Sequence, residues 1–219
     1  VPKHVAIDLE GIGKWAEEKH VSIEDAYKKA FDIIKILIDQ QVKLNIPILS
    51  FFIMSPSLRG TNQANTLFDI FTAFLMDENE RSRRATHKIK TTIMGKWYDL
   101  PENVVEAVRK ISEETREYDS FFTNFYLNYD GKEEIVDACR IIARQIRLEK
   151  IDPDNITKEV LKENIYTSYF VPPDIIIRNG REHIINSFLL WDSVGAHIHF
   201  TNKLFPDFTE DDFVRILVK

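Results

Sequence analysis

The run His4-Val5-Ala6-Ile7-Asp8-Leu9-Glu10, followed by Gly11-Ile12-Gly13-Lys14-Trp15, constrains the fold more than any other stretch. An apolar run ending in carboxylates, two glycines two apart, and a basic residue opening an amphipathic segment describe a strand-to-helix phosphate loop. Glycine lets the backbone approach an anion. Residues two apart on a strand share a face, so Asp8 and Glu10 are expected to point the same way at the strand's carboxyl end, where open α/β sheets place ligands. A divalent ion held between that pair and a diphosphate on the loop is the chemistry such a pattern serves. The same G-x-G spacing also marks ordinary turns, and both readings stand at this point.

Further along, strand and helix patterns alternate. Ser22, with Asp25 three positions on, predicts a helix start, and Ala26, Ala30, Ile33, Ile34, Leu37 and Ile38 carry that helix to about Leu44. Ile48 to Met54 reads as a strand buried on both faces. Gln63 to about Glu80 predicts one helix whose apolar face carries Phe68, Phe71 and Phe74. Arg81, Arg83, Arg84 and Lys88 form a basic cluster that reads as a solvated helix end. Strands are expected from Thr86 to Met94, from Phe121 to Leu127 and over Asp174 to Ile177, ending at Arg178. Helices are expected after Pro101, after Gly131 through about Leu148, and from about Thr157 to Asn164. This alternation implies one α/β domain over residues 1–219, a largely parallel sheet flanked by helices on both faces.

At 219 residues the chain can bury a substantial core. A formal charge of -6 without a dense basic patch argues against a nucleic-acid partner. Cys139, alone, fits a reducing compartment and is expected to be a buried structural thiol. No apolar run approaches the roughly 20 residues that span a bilayer, and no signal-peptide pattern stands at Val1. A soluble cytoplasmic protein is the expectation, with peripheral membrane contact for collecting or releasing apolar molecules.

The run HVAIDLEGIGKWAEEK resembles the N-terminal motif of the cis-prenyltransferases, the undecaprenyl diphosphate synthase-like family. Trp97-Tyr98-Asp99-Leu100-Pro101, Leu127 to Ala138, Pro172 to Glu182, Asn186 to Trp191 and Phe205 to Phe213 agree with it in order, so the resemblance covers nearly the whole chain. It implies an undecaprenyl diphosphate synthase-like fold, isoprenoid diphosphate substrates, Mg²⁺ as cofactor and a homodimer with Phe205 to Phe213 near the subunit contact.

Residue by residue, the resemblance places Glu10 where the family has its magnesium-binding aspartate, with Asp8 as a compensating neighbour. It makes Gly11 and Gly13 the phosphate cradle and Lys14 the replacement for an arginine. The family's asparagine between the glycines, downstream arginine and nearby histidine become Ile12, Ile23 and Tyr27. Of the loop after the second strand only Ser55 is kept, and Arg59 is a new cation that either reaches the site or faces solvent. At the second-substrate site Arg178 is matched, Ile184 and Asn186 stand in place of an arginine and a serine, and Arg181 is a possible substitute. Glu182 is kept, and a later metal-associated glutamate falls at His197. His197 and His199 would share a strand face and, with Glu10, suggest a transition-metal site, although alternate histidines also occur on half-exposed strands. Phe68, Phe71 and Phe74 either pack as core or wall, and shorten, the family's prenyl-chain tunnel.

Three functions follow from the resemblance. The leading one is an atypical prenyltransferase that ionises a short allylic diphosphate and makes an irregular, branched coupling or cyclises the cation, with Glu10, Asp8 and Arg178 catalytic. The others are a catalytically silent partner subunit of an active relative and a conventional synthase that elongates with isopentenyl diphosphate.

Overall fold

The computed structural model describes residues 1–218. Six strands, β1 (His4–Asp8), β2 (Ile48–Met54), β3 (Ile89–Met94), β4 (Phe121–Leu127), β5 (Ile175–Arg178) and β6 (His197–Phe200), form one sheet in the order β3-β4-β2-β1-β5-β6. Every pairing is parallel. Parallel neighbours need long crossovers. These are supplied by α1 (Ile12–Lys19) and α2 (Ile23–Lys43), then α3 (Asn62–Met76) and α4 (Glu78–His87), α5 (Glu102–Glu114), and α6 (Gly131–Arg147) with α7 (Lys158–Asn164); α8 (Glu210–Leu217) closes the fold. The chain leaves β1 toward β2 on one side, while β5 lies on the other side of β1 and continues outward to β6. The carboxyl ends of β1 and β5 therefore flank a topological switch point, the place where such sheets open a crevice.

Side-chain alternation along the strands divides the interior in two. Val5, Ile7, Leu49, Phe51 and Phe125 face the larger core, and Ala6, Ile48, Phe52, Tyr126 and Ile176 face the smaller one. In the larger core Phe31 of α2, Phe71 and Phe74 of α3 and Phe125 of β4 interlock, with ring centroids 5.3–6.0 Å apart.

Several local expectations are corrected. The helix predicted from Gln63 to Glu80 is two helices, because Asp77 takes an extended conformation and its carboxylate caps α4 at the Glu80 amide, 2.9 Å away. The basic cluster beyond it is structural rather than solvated. Arg84 is buried and donates to the carbonyls of Leu75 (2.9 Å) and Phe74 (3.4 Å), groups that the end of α3 leaves without helical partners. Burial lowers its pKa to about 10. Arg83 pairs with Glu80 and Asp39, and Arg81 with Glu114. The strand expected from Thr86 begins at Ile89, since α4 runs on to His87 and Lys88 caps it in a left-handed conformation. Cys139 is exposed on α6 rather than buried. The rings of Phe205, Phe208 and Phe213 are buried in the chain's own core beside α2, which leaves the expected subunit contact of this region untouched.

One glycine fixes the segment that will matter for the site. Gly131 opens α6 and donates its amide to the Ser187 carbonyl at 3.1 Å, and a Cβ there would stand 2.1 Å from that oxygen and 2.8 Å from Leu190 Cβ. Backbone cannot yield cheaply. Gly131→Ala is expected to lower stability by about 1–3 kcal/mol, read as an earlier urea midpoint; an unchanged midpoint would show that the 187–190 segment is not held by this contact.

Candidate active site

A cavity of about 640 Å³ opens at the carboxyl ends of β1, β2 and β5. The stretch Asp8 to Lys14 forms one side, Ile53 to Leu58 a second, and Gly180 to Glu182 with Asn186 and Ser187 a third. Its lining mixes carboxylates and cations near the strand ends with an apolar wall of Ile12, Phe52, Ile53, Met54, Leu58 and Leu204.

The first loop folds as its glycines require. Gly11 has φ 95, and a Cβ on it would lie 2.5 Å from Leu204 Cδ2. Gly13 sits one turn into the site beside Gln63, whose side-chain oxygen would be 3.4 Å from a Cβ. Gln63 in turn donates to the Tyr27 hydroxyl at 2.9 Å.

Beside this loop lies a buried charge cluster. Register pairs Asp8 of β1 with Arg178 of β5, and Arg178 Nη2 stands 3.1 Å from Asp8 Oδ2 and 3.7 Å from Glu10 Oε2. Asn186 ties the pair together, accepting from Arg178 Nη1 at 2.6 Å and donating to Asp8 Oδ2 at 2.8 Å. Its own oxygen is fixed by the Phe188 amide at 2.9 Å. Arg178 is only 3 % exposed, yet its Nε and Nη2 have no aligned hydrogen-bond acceptor. Its Nη2 is satisfied by charge alone, through the Asp8 carboxylate, and its Nε is the donor left over. Burial, with Glu10 adding to it, pushes the Asp8 pKa up to about 7 against the opposing pull of Arg178 and Asn186.

Asp8 and Glu10 thus converge, but on Arg178, and they differ in setting. β1 ends at Asp8, which is buried and engaged, whereas Glu10 lies beyond the strand with its side chain 43 % exposed to the cavity. Among the described residues no group of three or more His, Cys, Asp and Glu could hold a metal. Mg²⁺ does not need such a cage, since it is commonly held by one or two carboxylates together with substrate phosphates. Glu10 fits that arrangement; Asp8, occupied by Arg178 and Asn186, is poorly placed to share in it. His197 does not belong to the site. It pairs with Ile175 at the start of β5, whereas Arg178 pairs with Phe200, so three residues of strand, roughly 10 Å, separate it from the charge cluster.

Residues 9–219 match the family described as putative undecaprenyl diphosphate synthase. The chain belongs to the cis-prenyltransferase family. It is 30% identical over 220 residues to an isoprenyl transferase of Thermotoga maritima, spanning 99% of this chain and 92% of that one. It is 31% identical over 221 residues to a geranylgeranyl-diphosphate-specific tritrans,polycis-undecaprenyl-diphosphate synthase of Thermococcus kodakarensis, spanning 99% and 83%. Among solved structures it is similar to lavandulyl diphosphate synthase from Lavandula x intermedia in complex with dimethylallyl diphosphate, with TM-score 0.93, 27% identity and coverage of 99% and 94%. A probable undecaprenyl diphosphate synthase from Campylobacter jejuni shares the fold at TM-score 0.78 and 22% identity. No helix among the described residues is long and apolar enough to cross a membrane.

As a cis-prenyltransferase the chain shows particular gains and losses at the cavity. Lys14, Arg181 and Glu182 line it; Ile184, in place of a family arginine, is exposed; and Arg59 faces solvent outside the lining. Phe68, Phe71 and Phe74 do not line it. Phe71 and Phe74 pack against Phe31 and Phe125 in the larger core, and Phe31 and Phe74 also border a separate cavity with Ile70 and Ala73. Sequence reasoning passed over Glu18, Gln63, Asp130 and Leu204. Glu18 takes both terminal nitrogens of Arg181, and the other three line the cavity. Only Asp130, next to Gly131 in a recognised motif, carried a local signal.

A raised Asp8 pKa means that the folded chain holds this proton more tightly than the unfolded one. Raising the pH from about 4 to about 7 strips it and costs stability. In EDTA, the stability of the unaltered chain relative to Asp8→Asn should therefore fall across that window and level off above it. Parallel urea titrations of the two proteins check this, and a constant difference would refute the burial assignment.

Proposed function

We propose that the chain couples two short allylic diphosphates, dimethylallyl diphosphate foremost, into a branched diphosphate. The observation that carries this reading is the cavity's lining, which sets Glu10, Lys14 and Arg181 beside an apolar wall of Ile12, Phe52, Ile53, Met54, Leu58 and Leu204. The full-length likeness to a lavandulyl diphosphate synthase holding dimethylallyl diphosphate supports the same substrate class.

The reaction needs the C1–O bond of one substrate to break, with diphosphate leaving on the bonding electrons. The allylic C1 then bonds to C2 of the second substrate's double bond, leaving a tertiary cation at C3. Loss of a proton from an adjacent carbon forms the new double bond and leaves the second diphosphate in place. The Gly11 and Gly13 backbone receives the departing diphosphate, with Lys14 beside it as a point charge. Mg²⁺, held by Glu10 with the substrate's phosphates, would neutralise charge on that leaving group. Arg178, held at the cavity wall by Asn186, would supply positive charge for the second diphosphate. Ile12, Phe52, Ile53 and Leu204 exclude water from the cation. If a second double bond reaches the C3 cation before the proton leaves, the product is a ring instead.

The test is incubation of purified protein with dimethylallyl diphosphate and Mg²⁺, followed by dephosphorylation and mass spectrometry. A branched or cyclic ten-carbon alcohol is expected from this one substrate. Glu10→Ala should reduce turnover at least about a hundredfold and abolish Mg²⁺-dependent binding of dimethylallyl thiodiphosphate. Linear products formed only when isopentenyl diphosphate is added would instead establish a conventional elongating synthase. No turnover and no thiodiphosphate binding would move the assignment to a silent partner subunit.

A further inference from the structure

We propose that Arg181 is a ligand for the second diphosphate, and that Glu18 holds it off that subsite until the anion arrives. The inference rests on the function proposed above and assigns a control to its second subsite.

Arg181 stands three residues beyond Arg178 and lines the cavity, whose wall Arg178 meets through its hydrogen-bond partner Asn186. The bend that brings it there is built in: Gly180 has φ 101, and its amide donates to the Lys203 carbonyl at 2.7 Å. Two residues on, His183 is fixed by Asn202 at 2.8 Å and packs its ring on Phe200. With the backbone pinned on both sides, Arg181 can change partner only by moving its side chain. At present its Nη1 and Nη2 sit on the two Glu18 oxygens at 2.7 and 3.0 Å. This is a fork on a carboxylate, the geometry that also suits a phosphate.

The pair is weak enough to exchange. Arg181 and Glu18 side chains are 48% and 37% exposed, and an ion pair so open to water adds little. A diphosphate carries more charge than a carboxylate, and Arg178, behind Asn186 at the cavity wall, adds a second guanidinium charge nearby. Glu18 belongs to α1, the helix that opens at the Gly11–Gly13 cradle, so the latch spans from the first-diphosphate side of the cavity to the second. It also explains how a chain with isoleucine at 184 can still grip two diphosphates: the missing fork comes from position 181.

The experiment is calorimetric titration with dimethylallyl thiodiphosphate in EDTA, where the magnesium-dependent site is silent and the arginine subsite is read alone. Arg181→Gln is expected to weaken this binding about tenfold, the loss of one charge-assisted fork, with Arg181→Lys restoring part of it. Glu18→Gln is expected to tighten it about threefold, the release of an exposed ion pair. Glu18 also lies near Lys14 and Lys19, so its removal raises the local positive potential whatever Arg181 does. The double variant separates the two effects: the proposal requires Glu18→Gln to have no effect once Arg181 is Gln. A gain that persists in the double variant, or a Glu18→Gln that weakens binding as Arg181→Gln does, overturns it. Failure of the unaltered chain to bind thiodiphosphate with or without Mg²⁺ would overturn the proposed function itself.

Discussion

The ion pair between Asp8 and Arg178 is the constraint on which the site depends. It joins neighbouring strands at their carboxyl ends, in a place nearly closed to water. Such a pair adds little stability over a well-packed apolar one, but removing one partner strands the other charge at a cost of about 3–5 kcal/mol. The two residues are therefore interdependent, and Asn186 completes their hydrogen bonding by facing its oxygen to the arginine and its nitrogen to the carboxylate. The chain that carries Asn186 is held in turn by the Ser187 carbonyl on Gly131 and by Phe188 stacked on Phe52, ring centroids 5.0 Å apart. Geometry at the mouth of the cavity is thus inherited from backbone contacts in the smaller core.

This arrangement leaves Arg178 in an unusual electrostatic state. Its charge is balanced by Asp8, yet Nε and Nη2 lack aligned acceptors, so it is neutralised without being satisfied. Under the proposed function, a second diphosphate at this wall of the cavity would meet the guanidinium together with the like charges of Asp8 and Glu10, so its placement would depend on geometry as much as on net attraction.

The fold was legible in the sequence because it rests on strong local signals. Ile48 to Met54 and Phe121 to Leu127 are apolar runs bounded by turn residues, and both strands have those limits. The errors fall where a tertiary contact overrides a local pattern. The apolar period from Gln63 runs smoothly past Asp77, and nothing local shows that Arg84 will fold back to take the carbonyls that a break exposes. Within the site, spacing marked a turn at Gly11 and Gly13 and the resemblance singled out Glu10, whereas neither pointed to Glu18, because its partner lies 163 residues away. His197 was misread for the complementary reason: alternation fixes which face a strand residue takes, but not how far along the sheet it lies. That distance is set by register with β5.

The interlocked rings of Phe31, Phe71, Phe74 and Phe125 also bear on how such a protein could evolve. Each ring is braced by at least two of the others across three different elements. Trimming any one to a small side chain would leave a hole against its ring neighbours, and at Phe31 or Phe74 that hole would adjoin the cavity these two rings already line. Under the proposed function, a substitution that enlarges this space for a longer hydrocarbon would bear the stability cost of an unfilled hole before any new chemistry could be selected.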